Sequence, residues 1–275
     1  MDAALRLGTV PYLNALPLVA GLDGQAGIAL QRAVPSRLVR DLRDGALDAA
    51  LVSAVELFRA PQLQWLAGPA ITSCGPVRSI LLLVRGDPAR VRQLALDSSS
   101  RSAAALARIC LLDFLGAREL SVRESPPDAD LAGLDADAVL RIGDPALALA
   151  HARSAPAARD RWTALDLGTV WTAHTGLPFV YALWLARPGL AAEPLATRLL
   201  AARDAGLPQR DALADDFAAR SGLPAPTCRA YLRDSIGYDL GPAERAGLAA
   251  FGFLAHRHGL VDTPVVPEPL RAAGG

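Results

Sequence analysis

The sequence contains no lysine and only one asparagine. All 28 basic residues are arginine, and the asparagine is Asn14, in the stretch VPYLNALPL. Without lysine the chain cannot form a Schiff base with pyridoxal phosphate, a Walker A phosphate loop or a Ser-x-x-Lys hydrolase site. The motifs GxGxxG, GxSxG and HExxH are also absent. These absences exclude several large classes of nucleotide-binding and hydrolytic enzymes.

Cysteine and histidine are scarce as well, with three cysteines and four histidines. Cys74, Cys110 and Cys228 lie far apart and have no CxxC spacing, so we predict neither a disulfide framework nor a zinc cluster. We expect each cysteine to be a small core residue, because free cysteine is commonly buried. No two histidines stand four residues apart, and we therefore predict no metal site.

Charge of either sign is not concentrated anywhere, and 28 acidic residues balance the 28 basic ones. Neither a nucleic-acid groove nor a polybasic membrane anchor is indicated, so we expect a small-molecule partner. The amino terminus lacks the basic and apolar regions of an export signal. No stretch reaches the ~18 uncharged apolar residues that span a bilayer. We expect a cytoplasmic protein, and the sequence does not indicate its oligomeric state.

The pattern of strands and helices favours two α/β lobes. Hydrophobic residues make up 52% of the 275 residues, which is enough for two lobes of ordinary size. LRLGTV, IALQRAV and DAALVSA read as strands that alternate with short helices, one of them capped by Ser36 and ended by Gly45. QLALDS restarts the alternation, and helical patterns dominate after FVYALWLAR. We predict a discontinuous first lobe, 1–85 and 183–275, a second lobe, 86–182, and a loosely held tail PVVPEPLRAAGG.

Four polar stretches follow predicted strands, namely VPYLNA, VSAVE, DSSSRS and IGDPAL. Open α/β sheets bind ligands beyond the carboxyl ends of their strands, where helix N-termini present free N–H groups. Hydroxyls and helix N-termini together suit carboxylates or other anions without any lysine. We therefore expect these four stretches to form an anion-binding site.

Each stretch also has a purely structural interpretation. Serines 98–102 are typical of a helix N-cap, and Ser53 is equally consistent with a satisfied buried hydroxyl. Asp144 precedes a proline, which is how many helices begin. Arg78 and Arg101 can bind a carboxylate with both guanidinium nitrogens, but a solvated arginine is the commoner outcome.

Asn14 differs from these residues because it is the only asparagine in the sequence. A turn or a helix cap can usually be made by aspartate, serine or glycine. Only an amide presents a donor and an acceptor together without charge. We therefore predict a chemical or ligand-orienting role for Asn14.

Several motifs together resemble the chorismate dehydratase family of the futalosine route to menaquinone, over about residues 5–254. The motifs are VPYLNALPL, DAALVSAVEL, GPVRSILL, LALDSSSRSAAAL, LRIGDPAL, TGLPFVYALWLAR and YLRDSIGYDLG. The resemblance implies a type II periplasmic-binding-protein-like fold, in which two α/β lobes are joined by two crossing strands with a ligand cleft between them. It also implies a cytoplasmic lyase that converts chorismate, a dicarboxylate, to 3-[(1-carboxyvinyl)oxy]benzoate and water without a cofactor.

The resemblance assigns roles to individual residues. The family's essential asparagine falls on Asn14, close to the ring carbon that loses its proton, and Ser79 is our candidate for helping the hydroxyl to leave. Because an amide is a feeble base, we expect Asn14 to orient the substrate, whose own enolpyruvyl carboxylate accepts the proton. On a strand, the Ser79 side chain can instead face the core. The candidate substrate-binding residues are Tyr12, Ser53, Ser73, Ser99, Ser100, Arg101, Ser102, Gly143, Asp144 and Phe179.

Two alternatives share the predicted fold. The sister enzyme that makes a dihydroxynaphthoate from a cyclic futalosine derivative is expected to carry a histidine base in an Ile-His-Glu segment, where this chain reads Arg-Ile-Gly-Asp at 141–144. A non-catalytic, cytosolic protein that binds or senses a small anion is the other alternative. A sensor of that kind would normally carry a DNA-binding helix-turn-helix, for which there is no room before Leu5. A binding protein without catalysis would tolerate loss of Asn14 with weakened affinity, whereas a dehydratase would lose product formation.

Overall fold

The structure is a computed structural model that describes residues 4–97, 100–126, 129–131, 133–153 and 162–270. The strands are β1 Leu5–Thr9, β2 Ile28–Arg32, β3 Ala49–Ser53, β4 Gln64–Ser73, β5 Ile80–Val84, β6 Gln93–Asp97, β7 Ser121–Ser125, β8 Ala138–Ile142, β9 Thr163–Asp166, β10 Phe179–Ala186 and β11 Gly237–Asp239. The helices are α1 Leu16–Val19, α2 Pro35–Arg43, α3 Glu56–Arg59, α4 Arg101–Ile109, α5 Gly143–Arg153, α6 Leu167–Thr175, α7 Ala192–Gly206, α8 Arg210–Ser221, α9 Ala225–Ala230 and α10 Pro242–Arg257.

The chain divides into two compact units, one formed by Met1–Thr72 with Val180–Gly275 and the other by Ser73–Phe179. The strands form two sheets, a six-stranded sheet in the order β11-β4-β10-β3-β1-β2 and a five-stranded sheet in the order β7-β6-β8-β5-β9. The first boundary between the units, after Thr72, lies earlier in the chain than the predicted boundary after residue 85. The apolar run of β5 is buried along its whole length and hydrogen-bonds to β8 and β9, so it belongs to the second unit.

In the first unit, β1 lies between β2 and β3 and runs parallel to both. A Cβ atom at Gly8 would lie 2.6 Å from Leu47 and 2.8 Å from Leu38, so only glycine lets α2 pack this closely against β1. The predicted Ser36 cap is wrong. Pro35 begins α2 with its fixed φ, Val34 is the N-cap, and no side chain caps the helix.

The helical segment after β10 packs onto the first unit, and its end is held in place. The indole N–H of Trp65 on β4 donates to the Pro267 carbonyl at 2.7 Å. The Leu270 N–H donates to the Trp65 carbonyl at 2.7 Å. The prediction of a loose tail is therefore wrong for residues up to 270, because hydrogen bonds to the side chain and backbone of Trp65 hold it on β4, while 271–275 lie outside the described residues.

In the second unit, β6 runs parallel to β7 and β8, whereas β5 runs antiparallel to β8 and β9. Leu83, Ala95, Val139 and Trp162 form part of its core. The predicted strand and helix alternation is confirmed here, with β9 and α6 as additional elements that the sequence patterns did not indicate.

The cysteines divide between core and surface. Cys110 and Cys228 are buried, as predicted, and burial raises the pKa of the Cys110 thiol. Cys74 is exposed, and its prediction as a core residue is wrong. It follows the last residue of β4, where the chain turns and its side chain has left the buried face. Throughout the described ranges, the helices are too short or too polar to cross a bilayer.

Candidate active site

The predicted polar stretches of the first unit leave its sheet at one edge. β1 and β3 are parallel neighbours, so the segments that follow Thr9 and Ser53 both begin at the carboxyl edge of the sheet. Ser53 pairs with Ala182 of β10, and the Ala54 N–H donates to the Tyr181 carbonyl at 3.0 Å. The structure therefore brings VPYLNA and VSAVE to the same edge, as the sequence predicted.

Asn14 lies in a single 3-10 turn, Leu13–Ala15, that follows β1. Leu13 and Ala15 are fully buried on either side of it, and the Ala15 N–H donates to the Tyr12 carbonyl at 3.1 Å. These contacts fix the backbone of the turn that carries the Asn14 amide. Tyr12 is half-buried with an extended backbone.

The side-chain carbonyl oxygen of Asn14 is buried and has no hydrogen-bond partner among the described residues. Leaving a buried acceptor unpaired costs about 1–3 kcal/mol. Such a group in a native protein calls for a ligand or a water that donates to it. Other buried polar atoms of the first unit, among them Trp184 Nε1 and the Tyr238 hydroxyl, are also unpaired within the described ranges. Asn14 differs from these two because it also lies directly beyond the carboxyl end of a parallel strand.

The second unit gathers its predicted residues at one edge of its own sheet. The Gly143 N–H donates to the Ser79 carbonyl at 2.8 Å, which joins the beginning of β5 to the beginning of α5. β6 runs parallel to β8, so the segment after Asp97 leaves at the same edge as Gly143. The N-termini of α4 and α5 therefore both lie at this edge, where their dipoles favour an anion.

Ser79 is 2% exposed and stands immediately before β5 rather than within a strand. Its N–H donates to the Val77 carbonyl at 2.8 Å. Together with the bond from Gly143, this fixes the Ser79 backbone on both sides. Arg78, next to it, has an exposed side chain and a φ of 61°, a left-handed value that is unusual for a residue other than glycine.

Asp166, which the sequence did not indicate, contacts the segment that carries Ser79. Its carboxylate accepts hydrogen bonds from the backbone N–H groups of Val77 at 3.1 Å and Arg78 at 2.6 Å. It also caps α6 by accepting from the Thr169 N–H at 2.9 Å. An aspartate just before a helix is a recognisable N-cap, but the contact with residues 77 and 78 spans almost ninety positions and has no local signature.

The serine-rich stretch has the predicted capping role. The Ser100 hydroxyl accepts a hydrogen bond from the Ala103 N–H at 3.4 Å, so Ser100 is the N-cap of α4. Ser102 is completely buried in the first turn, and Arg101 is exposed. Ser99, like Ser98, lies outside the described residues.

The remaining predicted residues lie at the ends of other elements. Asp144 is half-buried in the first turn of α5, one position inside the helix rather than at its cap. The hydroxyl of the buried Ser73 donates to the Gly75 carbonyl at 3.4 Å, and the Gly75 N–H donates to the Thr172 hydroxyl at 2.9 Å. Phe179 is fully buried, with its ring edge-on to Trp171 at 5.1 Å.

The predicted residues thus form two sets, each defined within its own unit. In the first unit, Tyr12, Asn14 and Ser53 share one sheet edge. In the second unit, the polar residues at the sheet edge are Ser79, Ser100, Arg101, Ser102, Gly143 and Asp144. The first set supplies an unpaired neutral amide, and the second supplies hydroxyls and two helix N-termini. Such groups can orient and polarise an anionic substrate, but they include no strong base.

The fold defines the class of protein. The sulfonate-binding protein SsuA of Escherichia coli superposes with a TM-score of 0.68 at 18% identity, over all of this chain and 95% of that one. SsuA of Xanthomonas axonopodis, bound to MOPS, gives a TM-score of 0.71 at 17% identity over 96% of each chain. The predicted α/β fold of the periplasmic-binding-protein class is confirmed. At these identities the likeness concerns the fold alone.

The sequence defines the family within that class. Residues 5–257 match the model of a family described as menaquinone biosynthesis, and the chain belongs to this family. A Thermus thermophilus protein named chorismate dehydratase is 31% identical over 258 residues, which are 89% of this chain and 93% of that protein. A Campylobacter jejuni protein of the same name is 28% identical over 64% of each chain. The resemblance recognised in the sequence is confirmed.

Proposed function

We propose that the protein is a chorismate dehydratase, a hydro-lyase that converts chorismate to 3-[(1-carboxyvinyl)oxy]benzoate and water at the start of futalosine-dependent menaquinone biosynthesis. The family assignment and the names of both curated relatives support this activity. The structural observation that carries the proposal is the buried, unpaired carbonyl oxygen of Asn14. A cytoplasmic location accords with a biosynthetic enzyme of this kind.

The proposed reaction suits a site without a strong base. Chorismate loses the proton on C3 and the hydroxyl on C4, and the ring becomes aromatic. Oxidation state is conserved overall, so the reaction needs no redox partner and no organic cofactor. The enzyme has mainly to hold the substrate in a reactive conformation and polarise the departing hydroxyl.

In this mechanism Asn14 orients the ring. Its unpaired oxygen accepts a hydrogen bond from the substrate hydroxyl, while its amide N–H groups remain available to an oxygen of the enolpyruvyl group. The enolpyruvyl carboxylate removes the C3 proton, because an amide is too weak a base. The Ser79 hydroxyl donates a hydrogen bond to the C4 oxygen, and the departing hydroxide takes up the proton held by the enolpyruvyl carboxyl group, so that water leaves and the carboxylate is restored.

In this proposal the second unit supplies most of the groups that bind the substrate carboxylates. Chorismate carries two negative charges, and the N-termini of α4 and α5 favour anions at one sheet edge. The serines 99, 100 and 102 and Ser53 supply hydroxyl donors, and Arg101 supplies a guanidinium. Tyr12, Ser73, Gly143, Asp144 and Phe179 complete the proposed contacts.

The experiment that tests the proposed function is incubation of the purified protein with chorismate, followed by mass spectrometry and ultraviolet absorbance. A dehydratase yields a product lighter by one water with aromatic absorbance. Arg245→Gln, an exposed position on α10, is the control variant and is expected to behave like the wild type. If chorismate were bound but recovered unchanged, the protein would be a binding module. If neither binding nor turnover occurred, chorismate would not be its ligand.

A further inference from the structure

A basic cavity lies in the second unit, apart from the residues discussed so far. Its volume is about 560 Å³, within the range of ligand pockets. The lining residues are Ala89, Arg90, Val91, Arg92, Arg118 and Glu119. Three arginines and one glutamate, all with exposed side chains, therefore line a single cavity in a chain whose acidic and basic residues balance.

The cavity lies at the opposite edge of the second sheet from the proposed catalytic residues. Arg92 immediately precedes β6, and Arg118 and Glu119 lie three and two residues before β7, which runs parallel to β6. These residues therefore gather at the amino edge, whereas α4 follows the carboxyl edge. A five-residue strand is roughly 16 Å long, so the two sites are separated by about the width of the sheet.

The backbone that carries the arginines is fixed by hydrogen bonds. The N–H of Arg92 donates to the Asp137 carboxylate at 2.9 Å. The Arg92 carbonyl accepts from the Ser121 N–H at 2.7 Å, which ties the beginning of β6 to the beginning of β7. Val91 is buried and anchors the segment between its two arginines. The arginines thus project from a rigid part of the unit.

The charge in the cavity is only partly compensated. Arg90 lies 3.9 Å from Asp87, a long contact between exposed side chains that contributes little. The guanidinium groups of Arg92 and Arg118 have no acidic partner among the described residues. Guanidinium groups match phosphate oxygens in charge and geometry.

We propose that this cavity binds a phosphorylated small molecule with hydroxyl or amino donors, of the nucleoside diphosphate type. The phosphates lie among Arg90, Arg92 and Arg118, and a donor of the ligand faces Glu119. The cavity is larger than a single phosphate needs, and the carboxylate of Glu119 repels an anion that has no donor to offer. The site is separate from chorismate dehydration and does not depend on it.

The test is calorimetric titration of the full chain with ADP and, separately, with inorganic pyrophosphate, at about 0.15 M salt to screen non-specific attraction. The wild type should bind ADP saturably and more tightly than pyrophosphate. Arg92→Gln combined with Arg118→Gln should weaken ADP binding about tenfold or more. Glu119→Gln should tighten pyrophosphate binding and reduce the preference for ADP.

The control is Arg245→Gln, which removes an arginine from an exposed position outside the cavity and should leave ADP affinity within about twofold of the wild type. Because the altered side chains are exposed, circular dichroism should show the same fold in every variant. Absence of saturable ADP binding, or equal binding in the double variant, would overturn the site. Equal affinity for ADP and pyrophosphate would overturn the nucleoside-type ligand.

Discussion

The Asp166 carboxylate accepts a 2.6 Å hydrogen bond from the backbone N–H of Arg78, whose φ of 61° is positive. A left-handed backbone at a residue other than glycine is strained and persists only where the surroundings enforce it. Here the enforcing group is a helix cap almost ninety residues further along the chain. The position of Ser79, next to Arg78, therefore depends on Asp166.

Asp166→Asn should reduce chorismate turnover about tenfold. One carboxylate oxygen of Asp166 accepts a hydrogen bond from the Val77 N–H and the other from the Arg78 N–H, whereas an amide has only one acceptor oxygen. Asp87→Asn is the matched control. Asp87 also caps a short helix in the second unit. Only one of its carboxylate oxygens accepts a hydrogen bond from a backbone N–H, and the amide oxygen of asparagine can accept the same bond. Steady-state kinetics of both variants check this, and equal turnover in the two would contradict the positioning role.

Gly206→Ala should destabilise the first unit by about 2 kcal/mol, because overpacking forces backbone shifts. A Cβ atom at residue 206 would lie 2.1 Å from the Pro17 carbonyl oxygen, so α7 and α1 would have to separate. Since α1 follows the Asn14 turn, turnover should fall as well. Urea unfolding and kinetics measure both effects. Gly133→Ala, where a Cβ atom would meet nothing within 4 Å, should change neither.

The Asp48 carboxylate should make the free energy of unfolding decrease as the pH is lowered. Burial by itself raises its pKa, but hydrogen bonds from the Arg6 and Arg187 guanidinium groups and the Arg6 N–H outweigh burial and hold the pKa well below its ordinary value. The pKa of Asp48 is lower in the folded chain than in the unfolded chain, where it is about 4, so the ionised carboxylate stabilises the folded state above the unfolded-state pKa. This stabilisation is lost as the pH falls toward the folded-state pKa.

Asp48→Asn should therefore lower the free energy of unfolding by about 2 kcal/mol at pH 7, since both arginine partners are partly exposed. The difference from the wild type should shrink steadily at a pH below about 4. Urea titrations at several pH values measure it. Asp44→Asn, at an exposed carboxylate, should match the wild type throughout, and a difference independent of pH would contradict the assignment to charge.

Ser79→Ala should lower kcat about tenfold and leave chorismate affinity nearly unchanged, because the hydroxyl acts on the departing group. A serine that only packs would leave both constants close to those of the wild type. Ser125→Ala, at a buried serine on β7, is the control for loss of a buried hydroxyl in the same unit. Unchanged kcat in Ser79→Ala would remove this residue from the mechanism.

The sequence predicted those parts of the fold whose residues repeat with a clear period. The strands β3 and β10 are largely apolar runs, and α7 and α10 are long helical patterns, so neighbouring residues alone identify them. The carboxyl-edge rule then predicted that Asn14 and Ser53 share one sheet edge, which follows from the parallel pairing of β1 with β3. The proposed reaction was predicted from the family motifs.

What the sequence did not predict depends on contacts between distant residues. β9 and β11 are only four and three residues long, too short for a periodic signal. β5 was placed in the first lobe because its pairing with β8 and β9 cannot be read locally. The contact of Asp166 with Arg78 and the docking of the tail on Trp65 are likewise long-range and leave no local pattern.

The measurement that tests the account most directly is turnover of chorismate by Asn14→Ala together with its thermal stability. Turnover should fall about a hundredfold or more, as when a group that stabilises the transition state is removed. The melting temperature should stay the same or rise, because the Asn14 carbonyl has no partner among the described residues to lose. Near-normal turnover, or lost turnover with a clear loss of stability, would contradict the proposal that the single asparagine acts on the substrate.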